Sequence, residues 1–163
     1  VKLSKALWAV AVGWCVCVSA GHAYEEEEPW VEAQVTLPPS PLEADLIEFD
    51  GGPANPNRFY IDGKNLAPGP DGVMRYTLVV VTPSGVRNTS HEGIRCKTGE
   101  RRTYAVGRAD GSWAESTGSW QAVRASAYNR HHAILMRQCF CDLVVMHRDT
   151  TLVRANLRNT RAQ

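Results

Sequence analysis

His91 and Glu92 are adjacent, with Ser90 on one side and Cys96 five residues beyond His91. These are the residue types of a nucleophilic site, in which a base takes a proton from a hydroxyl or thiol and a carboxylate orients the base. On an extended chain, however, neighbouring side chains point to opposite faces, so His91 and Glu92 cannot converge on one substrate. No Gly-x-Ser-x-Gly elbow and no papain-type cysteine context surrounds them, and the sequence assigns no catalytic residue.

His131, His132 and His147 invite a metal reading. Adjacent residues on a helix diverge by about 100°, so His131 and His132 cannot chelate as an i, i+4 couple; they read as a surface pair. Asp71-Gly72 and Asp110-Gly111 read as turns rather than calcium loops, because no alternating acidic ladder follows them. No metal ligand set and no cofactor motif is expected.

Cys139 and Cys141 are one residue apart, which is not the Cys-x-x-Cys spacing of a redox site, and they end a predicted helix rather than begin one. A bond between them would be strained. A structural bridge is expected from Cys96 to one of the two, leaving a spare thiol. It would close a loop of about 45 residues and contribute roughly 4 kcal/mol in a chain-entropy estimate.

The elements that position these residues follow from the order of the chain. Val1 to Ala23 has Lys2 and Lys5 ahead of an apolar run, Ala6 to Val18, and small residues before Ala23. It reads as a secretory signal peptide cleaved after Ala23; the apolar run falls short of the ~20 residues that span a bilayer. Cys15 and Cys17 lack the small preceding residues of a lipidation signal. Val in the first position fits an alternative bacterial start codon. An exported chain enters a compartment in which disulfides persist.

Residues 24 to 57 read as an extended acidic arm, with Trp30, Val35 and Leu37 lying along the body and Leu46 to Phe49 as a short edge strand. Four successive glutamates and the Pro38 to Pro41 cluster exclude regular structure. Tyr24 to Asp50 holds nine acidic residues and no Lys or Arg, leaving 16 basic against 8 acidic residues from Gly51 to Gln163. The basic residues are scattered and no aromatic-plus-basic groove is legible, so nucleic acid is not an expected partner.

Residues 58 to 163 read as one α+β domain. Arg58 to Asp62 is the first strand, and Lys64 to Gly72 is read as a loop without regular structure. Val73 to Thr82 is a long strand whose Leu78 to Val81 run implies burial on both faces or a central position in the sheet. Pro83-Ser84-Gly85 turns it back into Val86 to Thr98. Arg101 to Arg108 follows, with Thr103, Ala105 and Gly107 expected on one face and Arg102, Tyr104 and Val106 on the other. Ala114 to Arg124 is turn-rich around Trp120, which is expected to pack over a sheet edge. Arg124 to Cys139 and Asp149 to Arg158 read as helices, the second with Leu152, Val153 and Leu157 on one face and Arg154, Arg158 and Arg161 toward solvent.

The order EEEEPWVEAQVTLPPSPLEADLIEFD, RFYIDGKNL, DGVMRYTLVVVTPSGVRNTSHEGIRC, RTYAVGRADGSW and a late FC closely resembles the cryptic neisserial protein-like family, small exported proteins of β-proteobacterial envelopes. The likeness spans essentially the whole chain after Ala23. It implies export and a one-domain body, and supplies no catalytic residue. By position Cys141 corresponds to the late cysteine of that family, which implies a Cys96 to Cys141 bridge and makes Cys139 an addition. His91 stands where an aromatic residue is expected. A looser, architectural likeness is to the surface-adhesin E domain.

The expectation is an α+β fold: an antiparallel meander of about four to six strands, C-terminal helices on one face, and a Cys96 to Cys141 disulfide. The expected function is a non-catalytic binding or structural module of the envelope, periplasmic, with an unknown envelope or surface partner and no integral membrane segment after signal cleavage. A surface-exposed adhesin-like module and a weakly marked periplasmic enzyme or redox protein are the alternatives.

Overall fold

A computed structural model of the chain describes residues 29–53, 55–126 and 129–162. The predicted signal peptide lies outside them. Among the described residues, no helix is long and apolar enough to cross a membrane.

The fold is an antiparallel sheet with two helical segments on one face. Its strands are β1 (Leu46–Phe49), β2 (Arg58–Asp62), β3 (Ala67–Pro68), β4 (Val73–Val81), β5 (Arg87–Arg95), β6 (Glu100–Gly107), β7 (Trp113–Glu115) and β8 (Gln121–Ala122). The main path runs β1-β2-β4-β5-β6-β7, a meander, with β3 added to β4 and β8 added to β6. Turn chemistry sets that order: Gly85 and Gly99 take positive φ at the β4–β5 and β5–β6 reversals, a region glycine enters without steric cost. The apolar run predicted to be central is so, since β4 lies between β2 and β5 and is buried from Val73 to Val79.

Helix α1 (Arg130–Ile134) continues as a π-helical segment, Leu135–Phe140, closed by the Cys141 N–H donating to the Met136 carbonyl. The wider turn keeps Leu135, Cys139 and Phe140 all buried. A small ribbon follows, β9 (Cys141–Asp142) with β10 (Val145–Met146). Helix α2 (Thr150–Asn159) starts where the Asp149 carboxylate accepts from the Thr151 N–H at 2.8 Å.

One hydrophobic core lies between the sheet and these helices. Ile47, Phe49, Phe59, Ile61, Met74, Tyr76, Leu78 and Ile94 face Leu135, Phe140, Met146, Val153 and Leu157. The Cys96–Cys141 disulfide pins the end of β5 to the end of the π-helical segment, with Cα atoms 5.7 Å apart. The opposite face of the sheet is crossed by the segment before β1, which is tied down through Trp30, Glu32, Ala33 and Pro38.

Four expectations require correction. Residues 64 to 72 are not wholly irregular: Ala67 and Pro68 pair with Arg75 and Met74, at a sheet margin where proline is tolerated. The stretch around Trp120 contributes the short strands β7 and β8. The simple alternation of β6 breaks, because Thr103 pairs with Glu92 while Ala105 pairs with His91, and Glu92 and His91 face opposite ways. The extra residue at Tyr104 leaves its phenol on the side of Arg102 as expected, over Gly93, where a Cβ would collide with its ring, and turns Ala105 away from the face of Thr103. In α2, Leu152 is exposed and only Val153 and Leu157 reach the core.

Candidate functional site

The chemistry-bearing residues legible in the sequence lie mostly inside the protein. Glu92 points from β5 toward the helices, level with Tyr76 across the β4–β5 pair. Its carboxylate accepts from the Tyr76 hydroxyl at 2.9 Å, the Ser90 hydroxyl at 2.7 Å and His132 Nε2 at 2.8 Å. Burial alone would raise the Glu92 pKa; the hydrogen bond and charge of His132, the Ser90 hydroxyl and the charge of Arg101 outweigh it and hold it at about 2. Tyr76 is driven the other way by burial and by Glu92, so it stays a phenol and a donor.

His91 faces the other side, as strand geometry requires. Its Nδ1 lies 3.2 Å from the Thr77 hydroxyl, and its ring packs near Tyr104 and Trp113. Burial and the charge of Arg75 push its pKa down to about 4, so it is neutral at pH 7. Ser90, His91, Glu92 and Cys96 therefore do not assemble: Cys96 is consumed by the disulfide and Ser90 donates to Glu92.

The histidine pair is not on the surface. His131 stacks on Phe59 with ring centroids 4.6 Å apart, and His132 reaches Glu92; both are buried. The signal in the sequence was the helical spacing of His132 with Leu135, Met136 and Cys139, which puts His132 on the apolar stripe. Among the described residues, no group of three His, Cys, Asp or Glu is placed to hold a metal. Cys139 is fully buried, and burial pushes its thiol up to about 12, far from the thiolate that redox or nucleophilic chemistry needs.

The accessible cluster is elsewhere. Arg154, Arg158 and Arg161 follow one another at helical spacing across α2 and the turn after it, and Lys64 faces them from the turn after β2. With Ala44 to Glu48 they line an open groove of about 550 Å³ at the β1 edge of the sheet. Two of these cations have protein partners. The Arg154 Nε donates to the Gly63 carbonyl at 2.7 Å, and Arg161 pairs with Glu48 at 3.0 Å. Glu48 is also held by Arg58; that hydrogen bond, with the charge of Arg161, keeps its pKa below the usual carboxylate value. Four cationic side chains thus face two carboxylates, Asp45 and Glu48, the latter already engaged, while Lys64 and Arg158 are exposed. The arrangement can bind anions. Arg154, Arg158 and Arg161 were legible as a solvent-facing row, but Lys64 joins them only through the fold.

No curated protein and no solved structure matches the chain. A family match covers residues 25–158, from the acidic segment to the last turn of α2, so the core, the disulfide and most of the groove all fall within it. The chain belongs to the CNP1-like family.

Proposed function

We propose that this chain is an exported, periplasmic protein of the bacterial envelope that works without catalysis, by binding an anionic envelope component in the groove of Lys64, Arg154, Arg158 and Arg161. The observation that carries this reading is the cationic surplus of an accessible groove in a protein whose His91, Glu92, His131, His132 and Cys139 are buried. A phosphate- or carboxylate-bearing headgroup or polymer fits it, because guanidinium groups hold such anions through paired N–H donors.

The test has two parts. Fractionation of intact cells, with protease shaving, should recover the chain uncut in the periplasmic fraction; cleavage from outside would instead support the adhesin-like alternative. The purified protein should bind phosphatidylglycerol vesicles in low salt and ignore phosphatidylcholine vesicles, and Lys64→Glu with Arg158→Glu should weaken that binding by at least about tenfold, at roughly 1 kcal/mol per charge near the surface. Equal binding to both vesicle types, or binding untouched by the double reversal, would remove the groove from the account.

A further inference from the structure

The segment before β1 is held like a bound peptide. From Pro29 to Leu42 it forms no strand, and its described hydrogen bonds to the body run to side chains or from side chains. The Trp30 indole donates to the Asp71 carbonyl at 2.9 Å, lies against the Arg95 guanidinium at 3.9 Å and meets Trp120 edge-on. Two residues on, Glu32 accepts from the Tyr104 hydroxyl and from Arg102, each at 2.7 Å, and from the Trp120 indole at 3.4 Å. The backbone of Ala33 is read from both sides: its N–H donates to the Asp71 carboxylate at 2.8 Å, and its carbonyl accepts from Arg75 at 3.2 Å. Asp71 and Arg75 are locked together at 2.6 Å. Burial works to raise the Asp71 pKa, but the Arg75 hydrogen bond, the Ala33 N–H and the Arg75 charge bring it to about 2.

A chain that only covered an apolar sheet face would not need this. Burying Arg75 and Tyr104 is costly unless an acceptor meets them. Glu32 meets Tyr104, and Asp71 with the Ala33 carbonyl meets Arg75, but incompletely: the Nε atoms of Arg75 and Arg102 are both buried without a hydrogen-bond partner. The groove therefore presents more donors than its own occupant uses. It has a platform for an indole, a cationic and phenolic seat for a carboxylate two residues later, and a fork that reads the next peptide unit.

We propose that this face of the sheet is a recognition groove for an extended, acidic segment of another envelope protein, with a tryptophan two residues ahead of a glutamate, and that the chain's own arm is its resident, displaceable occupant. The charge of the groove, set by Arg95 and Arg102 beyond the Arg75–Asp71 pair, selects an acidic partner, and the unused donors favour one with a further acceptor. The tethered arm competes at high effective concentration, so the intact protein binds such a segment more weakly than the groove itself would. This site lies on the opposite face of the sheet from the helices and is independent of the arginine groove.

The experiment uses the full chain after Ala23, intact and as Trp30→Ala with Glu32→Ala, which loosens the arm and leaves the groove unchanged. The probe is a fluorescent peptide with the sequence of residues 29–38, beside a control peptide with alanine at both anchor positions. The double variant should bind the first peptide at least about tenfold more tightly than the intact protein does, since the tethered competitor is weakened. The control peptide should not bind, and Arg102→Gln in the groove should reduce binding. If the double variant does not fold, Glu32→Gln is measured in its place. A variant of native circular dichroism that fails to bind the peptide, or binds both peptides alike, overturns the proposal. So does a concentration-dependent dimer of the intact protein that disappears in the variant, because the occupant would then be the arm of a second copy.

Discussion

Glu92 and His132, 40 residues apart in the chain, meet at 2.8 Å between β5 and α1, each side chain only 6% exposed. The contact ties the sheet to the helix at the centre of an otherwise apolar interface, and the Tyr76 and Ser90 hydroxyls complete the shell of the carboxylate. Glu92→Ala removes the shared acceptor and leaves a buried phenol and a buried imidazole facing a void. The expected loss is about 2–4 kcal/mol, since each buried donor left without its acceptor costs roughly 1–3 kcal/mol. Urea unfolding of this variant should show a midpoint far below that of the parent, with Glu92→Gln, which keeps an acceptor oxygen, falling between them. A parent-like midpoint for Glu92→Ala would show that the contact does not hold the helix to the sheet.

Stability should decline in acid through two windows. His91 has a folded pKa of about 4 against 6.5, and Glu92 has about 2 against 4.5. In both cases the unfolded chain binds the proton more readily. The stabilisation is therefore complete above the ordinary value and is lost as pH falls toward the folded one. His91 contributes to the decline from pH 6.5 toward 4, and Glu92, with Asp71, to the steeper decline below 4.5. Thermal unfolding across pH 7 to 3 checks this. His91→Phe, which retains an aromatic ring beside Tyr104 and Trp113, should flatten the upper window and leave the lower one intact. An unchanged upper window would assign it to another group.

Peptide mapping without reduction should recover Cys96 joined to Cys141, with Cys139 as the free thiol. Cys139 should react with a thiol reagent only after denaturation, since it is fully buried. Replacing Cys96 and Cys141 by serine should cost about 4 kcal/mol, because the 45-residue loop is then unconstrained in the unfolded chain. Near-UV circular dichroism and thermal unfolding would report the loss; a Cys96 to Cys139 link would contradict the fold.

The sequence by itself determined the meander. Alternation and apolar runs marked Val73 to Val81 and its neighbours, and glycine-bearing reversals ordered them, because strand period and turn conformation are local properties. The row of arginines on α2 was legible for the same reason. The pairing of Cys96 with Cys141 came from a likeness to a family, since spacing left Cys139 equally open.

The tertiary structure alone decided which polar residues are inside. A buried charge depends on its partner: the spacing of His132 placed it on an apolar stripe, but Glu92 lies 40 positions away, and their pairing could not be recognised until the helix was laid on the sheet. The same holds for the arm. Trp30 was expected to lie along the body but with no place on it, Glu32 had no assigned partner, and Arg75, Arg95 and Arg102 counted only among scattered basic residues. The pairing of β4, β5 and β6 brings those arginines onto one face beside the Tyr104 phenol. Long-range register built that groove, and no local pattern encodes it.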